Sequence, residues 1–225
     1  MSEALVRTEE ATRTYGQGSQ AVRAVAGATC EVLAGQHIAL VGPSGSGKTT
    51  LVHLLAGLDG PSSGTVEWPA IGPREQLRPG PVAVAFQGPS LLPPLTVLEN
   101  VALPRLLAGD AEDLALEAAH AALVRFEVDD LATKLPEELS GGQSQRVGLA
   151  RATVGRPAFI LADEPTGQQD QATGQHVMDA FLTWAREVGA AVIVATHDLA
   201  IARLFPIRWS MEDGQLRAEV TLRSA

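Results

Sequence analysis

Three stretches of the chain combine residue types and spacings suited to handling phosphate. The first is Gly42-Pro43-Ser44-Gly45-Ser46-Gly47-Lys48-Thr49, followed by Thr50. Its glycines let successive backbone N–H groups turn toward an anion. A helix opening at the lysine adds the favourable end of its dipole. Lys48 would meet the β- and γ-phosphates of a nucleoside triphosphate, and the Thr49 hydroxyl would ligate magnesium. The plain alternative is a glycine turn between a strand and a helix. The second stretch is Ala158-Phe159-Ile160-Leu161-Ala162-Asp163-Glu164. An apolar strand there delivers two adjacent carboxylates at its end, where ligands sit in open α/β sheets. Asp163 would hold magnesium and Glu164 would accept the proton of an attacking water. Its alternative is a solvated acidic turn.

The third stretch is Leu139-Ser140-Gly141-Gly142-Gln143. A serine and two glycines at a helix start make a second anion site by the same dipole argument. One chain needs only one such site per nucleotide, so Ser140, Gly141, Gly142 and Gln143 are expected to serve the nucleotide of a second copy. The alternative is an ordinary helix cap. Two single residues join this set. Gln87 follows the apolar run Val82 to Phe86, and His197 follows Ala191 to Thr196. Gln87 could ligate magnesium or orient water, and His197 could hydrogen-bond the γ-phosphate. A lone glutamine or histidine at a strand end is more often structural.

The elements that must position these residues alternate in type. His37 to Val41, Val82 to Phe86, Ala158 to Ala162 and Ala191 to Thr196 are short apolar runs of the kind that form buried parallel strands. Ala24 to Leu33 alternates like a strand. Helical spacing marks Thr49 to Gly57, Ala111 to Phe126 and Gln171 to Glu187, within a broadly helical pattern from Thr96 to about Leu139. Gly88 to Pro94 is a proline-rich break. Strands alternating with helices predict an α/β fold with a largely parallel sheet. The helical stretch from about Gly88 to Ser140 reads as an inserted subdomain.

The 225 residues suit one domain, and a hydrophobic share of 45% with 19% charged residues fits a globular chain with a sizeable core. Cys30 is the single cysteine, so an internal disulfide is excluded and a zinc site is not expected. Met1 to Thr8 carries charges and no apolar core, so no signal peptide is expected. No apolar run approaches the ~18 residues of a membrane helix, so a membrane role calls for a partner. The net charge of -9 weighs against a nucleic-acid surface.

These features, in this order, resemble the ATP-binding cassette (ABC) ATPases over nearly the whole chain. The resemblance implies a P-loop NTPase (RecA-like) core with a mostly parallel sheet, an N-terminal antiparallel β subdomain and an inserted helical subdomain. It implies a core of residues 1–87 and 144–225 and a helical subdomain of 88–143. Gly42 to Thr50 is then the Walker A loop, Phe159 to Glu164 the Walker B strand and Gln87 the Q-loop glutamine. Leu139 to Gln143 is the signature, Pro165 to Asp170 the D-loop and His197 the switch histidine. Tyr15, in Thr14-Tyr15-Gly16-Gln17-Gly18, matches the aromatic that stacks on adenine. ATP and Mg2+ are the implied ligands. The implied partners are a second copy, paired head to tail, and a separate permease at the cytoplasmic side of the inner membrane, docked near Gln87 to Asn100. His53-Leu54-Leu55-Ala56-Gly57-Leu58-Asp59 and Glu164-Pro165-Thr166-Gly167 resemble the MacB/LolD/FtsE branch. The alternatives are an FtsE-like mechanical subunit and a soluble member acting on nucleic acid or ribosomes. The chain departs from that branch at Gln169, where an aliphatic residue is usual, and in a short segment from Val66 to Pro81.

Overall fold

The computed structural model describes residues 3–88 and 90–221. Pro89, within the expected break, lies outside them. A six-stranded sheet forms the centre, made of β3 (His37–Val41), β5 (Val82–Ala85), β6 (Phe159–Asp163), β7 (Ala191–Thr196), β8 (Ile207–Glu212) and β9 (Gln215–Thr221). Its order is β5-β6-β7-β3-β8-β9. Every pairing is parallel except the β8–β9 hairpin. A separate antiparallel sheet places β1 (Val6–Tyr15) between β2 (Val22–Val32) and β4 (Ser63–Glu67).

The continuous apolar runs follow from burial on both sheet faces. Side chains alternate across the sheet. Ile160, Ala162, Val192 and Val194 enter one core, shared with the helices α2 (Val97–Leu107), α3 (Glu112–Arg125), α4 (Gly141–Thr153) and α5 (Gln171–Val188). Phe159, Leu161, Ile193, Ile38 and Leu40 enter the other, shared with α1 (Lys48–Leu55) and the antiparallel sheet.

Register aligns the strand ends that matter. Asp163 pairs with Ala195, and Thr196 pairs with Val41. The residues that follow β3, β6 and β7 therefore share one edge: Gly42, Glu164 and His197.

The expected helical run from Thr96 to about Leu139 is broken. α2 and α3 are separate helices, and after Phe126 the chain makes only single turns, at Asp129–Leu131 and Pro136–Glu138. Asp129, Asp130 and Pro136 favour turns over a continuing helix. The next helix, α4, spans the expected boundary between residues 143 and 144. α2 opens with a capping box between Thr96 and Glu99. The buried Asn100 side chain donates to the carbonyls of Leu92, Leu95 and Thr96, and its oxygen accepts from Leu92 N–H. Arg151 of α4 donates to the Ser90 carbonyl and hydroxyl at 2.7 and 2.8 Å. The segment after Gln87 is thereby tied to two helices. No helix among the described residues is long and apolar enough to cross a membrane.

Candidate functional site

The loop Gly42–Gly47 joins β3 to α1 and is shaped by close backbone approach. Gly47, the N-cap of α1, has φ +102°, and a Cβ there would lie 2.0 Å from the Ala24 carbonyl oxygen. A Cβ on Gly42 would lie 2.2 Å from the Met211 carbonyl oxygen of β8. Neither contact admits a side chain, so glycine is a steric requirement here. The β8–β9 turn adds a brace, since Gly214 N–H donates to the Ser46 carbonyl at 3.0 Å. Pro43, Ser44 and Gly45 remain exposed, and a Cβ on Gly45 would meet nothing within 4 Å. The loop is thus a braced cradle open on one side. The first-turn N–H groups of α1 have no partner within that helix.

Lys48 is buried in this cradle. Its ammonium donates to the carbonyls of Gly42 at 2.7 Å and Pro43 at 3.0 Å. The Thr49 hydroxyl donates to Asp163 Oδ2 at 2.6 Å. Asp163 Oδ1 is buried and has no partner. Burial pushes the Asp163 carboxyl above its usual range; the Thr49 bond pulls it down, and the nearby Glu164 charge pushes it up again. An unpartnered, buried carboxylate oxygen beside a hydroxyl is a hard-oxygen donor set, which fits magnesium.

Glu164, the next residue, turns the other way, at φ +46°. Its Oε1 accepts from His197 N–H at 3.0 Å and lies 2.8 Å from His197 Nδ1. The Thr196 hydroxyl donates to Oε2 at 3.3 Å. An ionised carboxylate assigns the ring hydrogen to Nδ1. The structure therefore brings Glu164 and His197 into contact, as it does Thr49 and Asp163. Sequence reasoning missed Thr196, the last residue of an apolar run.

Gln87 is exposed and makes no described hydrogen bond to Thr49 or Asp163. It lines a cavity of about 370 Å³ with Ser140, Gly141, Gln145 and Gln168 of its own chain. Ser140 caps α4. Its hydroxyl accepts from Gln143 N–H at 3.3 Å, and Gln143 Oε1 accepts from Ser140 N–H at 2.8 Å. The ordinary cap reading is thus realised, and no described hydrogen bond joins these residues to Gly42–Thr50. The two glycines also make room for the D-loop. A Cβ on Gly141 would lie 1.7 Å from Gln168 Oε1, and one on Gly142 would lie 3.1 Å from Gln169 Cγ.

Tyr15 ends β1 and is 41% exposed. Its hydroxyl donates to Asp59 Oδ2 at 2.9 Å. The Arg13 guanidinium lies 4.7 Å from the ring centroid and 2.8 Å from Asp59. Partial burial acts against the Asp59 charge, but the Tyr15 hydroxyl, Gly60 N–H and Arg13 hold its carboxyl below the usual range. Arg13 and Asp59 are further residues that sequence reasoning missed; only their contacts distinguish them from surface charges. Cys30 is buried, and burial pushes its thiol up to about 11, so it is inert as a nucleophile.

Residues 25–167, which hold the loop, the Ser140 helix start and the carboxylate pair, match the family model described as ABC transporter. The chain belongs to the ABC transporter family. Among ABC relatives, the lipoprotein-releasing system ATP-binding protein LolD of Legionella pneumophila (strain Lens) is 38% identical, over 97% of this chain and 99% of its own. The uncharacterized ABC transporter ATP-binding protein YbbA of Escherichia coli (strain K12) is 40% identical, over 97% of this chain and 99% of its own. The ABC fold is matched in a dimeric post-hydrolysis structure of the ATP-binding cassette MJ0796 bound to ADP and Pi. That match has TM-score 0.89 and 32% identity, and covers 98% of this chain and 100% of the other.

Proposed function

We propose that this chain is the ATP-binding and ATP-hydrolysing subunit of a membrane transporter of the LolD and MacB kind. The observation that carries the reading is the meeting of three strand ends. A braced phosphate cradle lies beside an Asp163 oxygen without a partner, and Glu164 is clasped by His197 and Thr196. The Tyr15 ring would stack on adenine. The loop and the first turn of α1 would bind the phosphates, and Lys48 would exchange its loop carbonyls for phosphate oxygens. Magnesium would be held by Thr49 and Asp163, with Gln87 joining when its loop moves, and would neutralise phosphate charge. Glu164 would take the proton of the attacking water. His197 would orient Glu164 through its main-chain N–H and its ring Nδ1–H.

Two copies would pair head to tail, with each Ser140–Gln143 facing the phosphates held by the other. The dimeric structure of the MJ0796 cassette supports a pairing of two copies. A permease would dock in the cleft between the core and the helical subdomain, near Gln87 to Asn100. The cavity lined by Gln87, Leu91 and Pro93 together with Pro136 and Leu139 supports this placement. The chain would then sit at the cytoplasmic face of the inner membrane, held through the permease. Co-expression with the permease encoded beside it tests the reading. We expect a membrane-bound complex whose ATPase activity exceeds that of the isolated chain. Full activity alone, with no membrane protein bound, would favour a soluble role.

A further inference from the structure

The network around Glu164 reaches a residue that none of the motifs above includes. Gln145 lies on α4, five positions after Ser140. Its Nε2 donates to the Glu164 main-chain carbonyl at 3.1 Å, and its Oε1 accepts from Gln168 N–H at 3.1 Å. Glu164 is one of few non-glycine residues here at positive φ, a conformation that persists only when its surroundings over-determine it. Three backbone bonds do so. Glu164 N–H donates to Ala195 O at 2.9 Å, Gly167 N–H donates to Glu164 O at 3.1 Å, and Gln145 supplies the third. The first two are local to β7 and the turn. The third alone comes from the helical side of the molecule.

We propose that Gln145 is a positioning residue for hydrolysis, which sets the backbone of Glu164 and the D-loop from the signature helix. This rests on the reading of Glu164 as the general base. The left-handed turn at Glu164 aims its carboxylate at His197 and Thr196. A carboxamide can both donate and accept. Glutamine at 145 therefore clamps two turns of the chain at once, Glu164 and Gln168. Methionine keeps the length and does neither. Glutamate keeps the acceptor for Gln168 N–H and loses the donor to Glu164.

The test is steady-state turnover of the full chain with Gln145→Met and Gln145→Glu, alongside ATP affinity and thermal unfolding of each. We expect kcat to fall about 10- to 100-fold in both, by analogy with the scale seen when a partner that orients a metal ligand is lost. ATP affinity should stay within about twofold, because the cradle and Tyr15 are untouched. In a Glu164→Gln background, Gln145→Met should cost almost nothing more, since both changes act through one group. A folded Gln145→Met or Gln145→Glu chain with wild-type kcat would overturn the inference. So would a Gln145→Met defect of the same factor with and without Glu164. Failure of the underlying reading is seen separately, as Glu164→Gln running at the wild-type rate, and that result overturns both.

Discussion

The Thr49 hydroxyl holds one oxygen of Asp163 at 2.6 Å and leaves the other buried with no partner. A buried carboxylate oxygen with no partner costs stability. Its folded carboxyl is pushed above the usual range, so its charge destabilises the nucleotide-free fold at neutral pH. That cost shrinks as the pH falls and the group takes a proton. Asp163→Asn keeps the Thr49 bond and removes the charge. We expect it to raise the melting temperature of the metal-free chain by about 2–4 °C at neutral pH, the shift that about 1 kcal/mol gives a domain of this size. The gain should vanish toward the ordinary carboxylate range. Turnover with magnesium should be lost. Calorimetry across pH, with an ATPase assay, checks both.

Lys48 makes its two bonds to Gly42 and Pro43 carbonyls at a buried position. Lys48→Ala should nearly abolish ATP binding and turnover. It should also weaken the empty loop, because two carbonyls lose their donor, at a cost of about 1–3 kcal/mol if they stay dry. Denaturant unfolding without nucleotide separates that second effect from the first. Wild-type turnover would refute the cradle reading.

The Tyr15 hydroxyl has a partner, so the ring is anchored at Asp59 as well as backed by Arg13. From the sequence, Tyr15→Phe is expected to be silent. From the structure, a small loss is expected, because the bond to Asp59 is solvent-exposed and of modest strength. Tyr15→Ala should weaken ATP binding by roughly 5- to 150-fold, the equivalent of about 1–3 kcal/mol of base stacking. Tyr15→Phe should stay within about threefold, less than 1 kcal/mol. Nucleotide titration of the three chains decides it, and equal affinity for Tyr15→Ala and wild type would count against stacking.

Glu164→Gln keeps size and hydrogen bonding and removes proton acceptance. The rate should fall about 10²–10⁴-fold with nucleotide binding intact. Loss of the charge near the γ-phosphate should also favour an ATP-bound dimer. Ser140→Arg added to it should break that dimer, because under the proposed head-to-tail pairing a bulky side chain would sit where the other copy's γ-phosphate belongs. Gel filtration with ATP, on the chain and on its complex with the permease, reads both outcomes.

The candidate phosphate-handling residues could be picked out in the sequence because each abuts an apolar run or a helix start. Val41 hands the chain to Gly42, Asp163 ends β6, and His197 follows β7 directly. A buried strand and the polar residue at its end are neighbours in the chain, so local pattern finds them. Local pattern also placed β2, β3, β5, β6, β7, α1, α3 and α5 within a residue or two, and did not find β1, β4, β8 or β9. It could not find partners distant in sequence. The Met211 carbonyl that demands Gly42, the Gly214 brace on Ser46 and the Asp59 carboxylate under Tyr15 lie 44 or more positions away from what they contact. Gln145 reads as one more polar residue on a helix until the fold sets it against Glu164 and Gln168. Spacing along the chain determined which groups this protein could use. Register among β3, β6 and β7 determined which of them meet, because hydrogen-bond geometry depends on through-space distances that only the packed sheet fixes.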